Sequence, residues 1–403
     1  YQGFLDKEAR FGKSSIDINS QAGTLGDIVI DGEVTVSSGS TLCSGVDELS
    51  LTDSFSVPTG NTDSRIHCKT AGSMRFNEDL GTLEFYTGNE WRTVNSFKDT
   101  GNRGRGLIGG GYNPSLYLKD IQKVQIATLG NAINNGELSN VRARIGSVSN
   151  ETRGMWAGGQ EPGIYVDTIE YVTIASEGDA IDFGNLSANR GYMGCMSSST
   201  RGVFAGGYSP SPTNNVNVME YVEIMTIGNA VDFGDLANNA WYGGTCSSPT
   251  RGIFAGGLST PNGLSAPKIS NINFITIASK GNSTNFGNLI SRRDSLGGGY
   301  SSGTRGVFAG GSYHSEMDYI TIASTGNATK FGDLSSDHKN RTSFSSKTRG
   351  ITAGGRNPAA TNVIEFAEIA TTGNAQDFGD LTQPSTLPDN GGLSDSHGGL
   401  GGF

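Results

Sequence analysis

Short runs in which apolar and polar residues alternate recur along the chain at near-regular intervals: YVTIAS at 171–176, YVEIMT at 221–226, FITIAS at 274–279 and YITIAS at 319–324. Period-two alternation rich in Ile, Val, Thr and Tyr predicts half-buried β-strands. Each run is followed by a Gly-Asn or Gly-Asp turn, at Gly130, Gly178, Gly228, Gly281, Gly326 and Gly373. Next comes a segment closing on Phe-Gly-Asp/Asn-Leu, at 183–186, 233–236, 286–289, 331–334 and 378–381, with the weaker NGEL at 135–138 in the first copy. A strand of small residues, such as YGGTCSS at 242–248, then leads into a Thr-Arg-Gly phrase that ends in a pair of glycines.

The arginine of that phrase counts the copies. It falls at Arg105, Arg153, Arg201, Arg251, Arg305 and Arg349, at spacings of 48, 48, 50, 54 and 44 residues. Six units of four predicted strands therefore fill the chain from about residue 99 to 403. One four-stranded sheet cannot bury both its faces, and such sheets arranged radially make a β-propeller. The expected fold is all-β: a six-bladed propeller preceded by a β-rich N-terminal region. The first marker has no small-residue strand before it, while 390–403 (NGGLSDSHGGLGGF) carries one left over. That stretch is expected to supply the innermost strand of the first blade and close the ring.

The order of strands, the double glycine after the second and the aromatic positions after it resemble kelch repeats. Phe stands in DFGDL where kelch blades usually carry Trp, and the turn before it is longer, so the resemblance is to the architecture. Residues 1–62 read as a Ser/Thr-rich, β-forming fibre or attachment segment, with GDIVIDGEVTVS at 26–37 alternating as a strand pair. Residues 63–98 hold GSMRFNEDLGTLEFYTGNEWRTV (72–94), which resembles a β-hairpin module of bacteriophage fibre proteins. Gly72, Ser73, Arg75, Phe76, Asn77, Glu84, Tyr86, Gly88 and Trp91 carry the match. The YITIASTGNAT and FGDL phrases are similar to repeats in structural proteins of marine tailed phages.

Composition sharpens this picture. The chain holds 61 glycines and only 17% charged residues, as suits many short strands joined by tight turns. The net charge of −10, with no basic cluster, argues against a nucleic-acid partner. No apolar run approaches the roughly 20 residues of a membrane-spanning helix. The chain reads as soluble; it begins at Tyr1 without Met, and no leader peptide is recognised at that end. Cys43, Cys68, Cys195 and Cys246 form no CxxC pair, so small buried residues are expected, a Cys195 to Cys246 bridge being the alternative. His67, His314, His338 and His397 are scattered, and neither a metal site nor a cofactor is expected. The Gly-rich phrases lack the helix and the Lys-Ser/Thr pair of a phosphate loop.

The six arginines are expected to tie blades together, through carbonyls or through Asp182, Asp232 and Asp377 of the neighbouring DFGD phrase; Asn285 and Lys330 replace that Asp in two copies. What is not periodic is the loop after each glycine pair. These loops leave the same face of every blade and are rich in Tyr, Asn, Ser and Pro, a composition suited to adaptable polar contact and stacking. The candidate contact residues are Tyr112, Tyr208, Asn214, Asn215, Asn262, Tyr313, His314 and Arg356. The expectation is a non-enzymatic structural protein of a tailed-phage virion, on the particle's tail or neck. It would trimerise and join other virion proteins through its N-terminal region, and its propeller would contact a host-surface glycan or protein. The alternatives are a purely architectural decoration of head, neck or tail and, behind it, a secreted carbohydrate-active enzyme. Deleting residues 391–403 is expected to lower the calorimetric melting temperature of the whole repeat region; an unchanged melt counts against closure by the C-terminal strand.

Overall fold

The structure, a computed structural model, describes residues 57–65, 71–80, 82–93, 103–113, 115–210, 216–259, 267–311, 313–385 and 391–400. The expectations for the fibre segment up to residue 56, and for Cys43 and Cys68, lie outside these residues. The chain divides into two compact units, Tyr1–Ser96 and Phe97–Phe403.

In the first unit, Met74–Asn77, Thr82–Tyr86 and Trp91–Thr93 form an antiparallel sheet, and Thr59–Gly60 adds to it in parallel. The residues that mark the hairpin module hold it together. Arg75 donates through Nη2 to the Asn61 carbonyl at 2.8 Å, the fully buried Glu84 pairs with Arg65, and the Tyr86 and Trp91 rings lie 5.4 Å apart. The module thus takes in residues before 63, including the short 3-10 turn Thr62–Ser64.

The second unit contains six antiparallel four-stranded sheets. Sheet I consists of Gly392–Ser394, Arg105–Asn113, Leu116–Gln125 and Ile133–Glu137. Sheet II follows as Gly146–Ser149, Arg153–Ala157, Thr168–Thr173 and Ile181–Asn185, and sheet III as Gly194–Ser197, Arg201–Ala205, Val218–Glu223 and Val231–Asp235. Sheet IV is Gly244–Ser247, Arg251–Ala255, Asn271–Thr276 and Thr284–Asn288, and sheet V is Gly299–Ser301, Arg305–Ala309, Glu316–Thr321 and Thr329–Asp333. Sheet VI is Thr342–Ser345, Arg349–Ala353, Thr361–Glu368 and Gln376–Ser385. The first strand of sheet I comes from the C-terminal stretch, Gly392 pairing with Ile108 and Ser394 with Gly106. First strands pack on one another in order from II to VI, then VI on I and I on II.

The Arg-Gly dipeptide makes both interfaces of a sheet. Its guanidinium reaches forward to carbonyls at the end of the third strand of the next sheet. Arg153 donates to Ile224 O at 2.9 Å, Arg201 to Ile277 O and Ala278 O at 3.0 Å, and Arg251 to Ile322 O and Ala323 O at 2.9 Å. Arg305 bonds Ile369 O, and Arg349 bonds Ile126 O of sheet I at 3.0 Å. The tie goes to backbone, not to Asp182, Asp232 or Asp377. Each of these guanidinium groups also lies over an aromatic ring of its own sheet, as Arg153 does over Tyr171 at 4.2 Å, and that ring meets the DFG phenylalanine edge-on, Phe183 in this case. The glycine after the arginine faces backward. A Cβ on Gly202 would lie 2.6 Å from Val148 of the preceding sheet, and one on Gly252 would lie 2.7 Å from Met196. Cys246, Tyr300, Phe344 and Leu393 fill the same position against Gly306, Gly350, Gly106 and Gly154.

The Gly-Asn turns clip the outer strands. Asn229 Oδ1 accepts from Asn185 N at 3.0 Å, and Asp179, Asn282, Asn327, Asn374 and Asn131 do the same for Glu137, Asp235, Asn288, Asp333 and Asp380. Each clip joins the fourth strand of one sheet to the turn of the next, which covers an edge otherwise open to pairing.

Buried ion pairs between sheets were not foreseen from the sequence. Arg142 pairs with Glu170, Arg190 with Glu220, Arg293 with Asp318 and Arg341 with Glu365, every side chain at most 4% exposed. Each acid also accepts a backbone N–H of the preceding sheet's exit, as Glu220 does from Ser187 at 2.9 Å. At the two remaining interfaces both charges are absent: Ala240 stands in the arginine's place opposite Asn273, and Ser385 opposite Gln122, which accepts from Thr382 N at 2.9 Å. A lone buried charge is costly, so the pair is kept or lost together. Arg190→Ala is therefore expected to lower stability by about 3–5 kcal/mol in urea unfolding. Adding Glu220→Asn, which copies the Ala240 and Asn273 interface, should recover most of it; a double variant as unstable as the single one counts against the coupling.

Candidate functional site

The first strands enclose a narrow cavity of about 70 Å3. Its far end is ringed by serines at matching positions of all six sheets, Ser149, Ser197, Ser247, Ser301, Ser345 and Ser394, each opposite the glycine of an Arg-Gly dipeptide. Their hydroxyls pass hydrogen bonds from sheet to sheet, Ser301 Oγ to Ser247 O at 2.7 Å, Ser345 Oγ to Ser301 O at 3.1 Å and Ser149 Oγ to Ser394 O at 2.7 Å. After Ser394 the chain turns into this end. His397 Nε2 lies 3.0 Å from Ser149 O and 3.3 Å from Ser197 Oγ, and Nδ1 accepts from Gly399 N at 3.1 Å. Cβ atoms on Gly398 and Gly399 would run into the carbonyls of Ser302 and Ser197, so only glycine passes. The protein's own tail fills this mouth.

Little reactive chemistry lines the cavity. Cys195 and Cys246 are free, and burial pushes both thiols up, that of Cys195 to about 12, which keeps them protonated. Among the described residues no three His, Cys, Asp or Glu side chains gather as a metal-holding group. At the junction of sheets I and II the pattern lapses: Lys123 replaces the ring beneath the arginine, Arg105 has Asp395 at 3.9 Å as its acid partner, and a cleft of about 540 Å3 opens beside Lys123, Ile133 and Glu177.

The other mouth is different. The first strands of sheets II to VI are each entered through a residue with positive φ: Arg144 (62°), Tyr192 (59°), Tyr242 (61°), Ser295 (53°) and Asn340 (58°). The glycine pairs end the second strands beside these residues, also with positive φ (61° at Gly206 and 109° at Gly207), and the variable loops start there. Backbone bridges join loop and entry segment, Gly191 to Tyr208 and Trp241 to Leu258 among them.

Over sheets II to IV these segments build one aromatic cluster. Tyr192 lies 4.1 Å from Tyr242 and 5.7 Å from Trp241; Tyr208 stacks on Trp241 at 5.3 Å with 29° between the planes, and lies 5.3 Å from Tyr165. The Arg144 guanidinium lies over Tyr192 at 4.9 Å and donates to the Tyr165 hydroxyl at 3.2 Å, with Tyr117 of sheet I in its electrostatic reach. Tyr117 meets Tyr112 edge-on at 5.2 Å. Tyr192 is buried, while Tyr165, Tyr208, Trp241 and Tyr242 keep part of their surface exposed.

Of the residues expected to make contacts, Tyr208 is in this cluster and Tyr112 extends it. Tyr313, His314 and Arg356 lie apart, exposed on the loops of sheets V and VI, where the Lys339 ammonium sits 4.5 Å over the Tyr313 ring. Asn214, Asn215 and Asn262 lie outside the described residues. Tyr165, Tyr192, Trp241, Tyr242 and Arg144 escaped the sequence reading; the signal for the last four was a large side chain in a segment otherwise made of small ones, just before a glycine. No protein-family model matches the chain, and no curated protein matches it.

Burial first, with Lys347 nearby, holds the His397 imidazole down at about 4, against 6.5 in the open chain, the Ser149 carbonyl opposing in part. The unfolded chain then binds the extra proton between these values, so stability is complete above pH 6.5 and falls as pH drops toward 4. His397→Gln is expected to flatten the fall of melting temperature across that window. The comparison isolates His397 from Asp395, whose carboxyl burial shifts upward and which acts in the opposite sense.

Proposed function

We propose that the six sheets are the blades of a kelch-like β-propeller and that the protein is a recognition component of a tailed-phage virion, its loop face meeting the host surface. The radial arrangement is supported by first strands that contact in cyclic order and by the Arg349 tie that carries the last sheet back to the first. The observation that carries recognition is a contrast between the two ends. At the serine end every sheet repeats the same residues and the chain's own tail occupies the mouth. At the loop end the scaffold stays periodic in backbone while its side chains do not, and aromatic rings collect over sheets II to IV. Periodic features belong to architecture; a single aperiodic patch on a rigid frame is where binding is usually placed.

The virion assignment rests on the hairpin module at 72–94 and on the repeat phrases, both of which resemble phage structural proteins. In this reading the protein is not an enzyme and requires no cofactor. The segment up to residue 62 joins it to other virion proteins as a trimer. Purified full-length protein is expected to block adsorption of phage particles that carry it, in a saturable manner. Failure to compete at any concentration would replace the recognition role by architectural decoration.

A further inference from the structure

We infer that the half-exposed rings of Tyr165, Tyr208, Trp241 and Tyr242, floored by Tyr192 and Arg144, form a saccharide-binding site that grips the faces of pyranose rings. The inference deepens the recognition reading and rests on it only in requiring that the loop face meets a ligand.

The fold does not ask for these residues. The entry position of the first strand in sheets II to VI takes a positive φ, which a bulky side chain adopts at a cost and which asparagine tolerates best after glycine. Asn340 and Ser295 meet the need in sheets VI and V, whereas sheets III and IV place Tyr192 and Tyr242 there. Strained non-glycine backbone of this kind collects at ligand clamps. A purely structural role also fits poorly with the two tryptophans of the second unit. The Trp156 indole N–H, fully buried, is bonded to Gly391 O at 2.9 Å, but Trp241 Nε1 has no acceptor, and neither has Arg144 Nε. Buried donors in a finished core find partners.

The chemistry of the patch selects the ligand. Flat, partly exposed ring faces offer contact to the apolar C–H face of a sugar, and the phenol groups of Tyr165 and Tyr208 at their edges suit its hydroxyls. An acyl chain has no polar group to meet them. A nucleic acid would bring phosphates to a chain of net charge −10.

Trp241 reports on the site, because Trp156 is fully buried in the core and Trp91 belongs to the other unit. The full-length protein is titrated with maltohexaose, cellohexaose, mannohexaose, chitohexaose and hexagalacturonate while tryptophan emission is followed. Saturable binding of at least one is expected, weakened tenfold or more by Trp241→Ala and by Tyr242→Asn, and unchanged by Tyr313→Ala. Tyr242→Asn separates binding from folding, since it suits the left-handed turn: its melting temperature should stay level or rise while affinity falls. A structural role predicts the reverse, a lower melting temperature with binding intact. No response to any of the five sugars, or equal blocking of adsorption by Tyr242→Asn and the parent protein, overturns the site while leaving recognition standing. A parent protein that binds a sugar through Trp241 yet never blocks adsorption overturns the role in host adsorption and leaves the site.

Discussion

The Arg-Gly dipeptide is the joint on which the repeat unit depends. Two adjacent residues face opposite neighbours: the guanidinium takes carbonyls of the sheet ahead, and the bare glycine receives a side chain from the sheet behind. Neither half tolerates much change. Lysine lacks the flat guanidinium that lies over a ring while its Nη1 bonds the carbonyls ahead, and any Cβ on the glycine occupies space already filled. Because both contacts have a direction, every sheet is oriented by the one before it. What varies is the knob, from Cys246 to Tyr300, so each interface has its own volume within one geometry.

The buried ion pairs obey a second rule, visible in a single chain. Four interfaces carry an arginine with a carboxylate and two carry neither charge. A charge without its partner, taken out of water between two sheets, would cost more than the pair returns. These pairs lie between sheets, where the alternating strands look half-exposed in sequence. They hold the exit of one sheet against the third strand of the next and leave the loop beyond it free to differ. Rigidity beneath and variety above are therefore parts of one arrangement.

Much of this was legible beforehand. The alternating runs, the Gly-Asn turns and the FGDL phrases fell where periodicity and turn chemistry put them, because each is a local signal repeated along the chain, and the spare C-terminal strand followed from counting the copies. The partners of the arginines were not, since a carbonyl has no signature in sequence. The ion pairs stayed hidden for a related reason: Glu170 and Glu220 stand just before the alternating runs, and the arginine that meets each comes from the exit of the preceding sheet, a contact with no local signature. Tyr208 reads as a loop residue and stands in one, whereas Tyr242 reads as the start of a small-residue strand and Tyr192 carries no signal of its own, and only their positive φ reveals them as a rim.

The strand that completes sheet I has a bearing on how the protein is made. Arg105 and the Asp395 that accepts its backbone N–H are 290 residues apart, which at ordinary rates of translation is a delay of about 15–60 s. Throughout that time the strand beginning at Arg105 has an unpaired edge, and for most of it the Phe344 ring that seats against Gly106 has not been made either. The early sheets are thus born with a sticky flank that only the last stretch of polypeptide can mask. A chaperone, or a neighbouring copy held at arm's length, matters most in that interval.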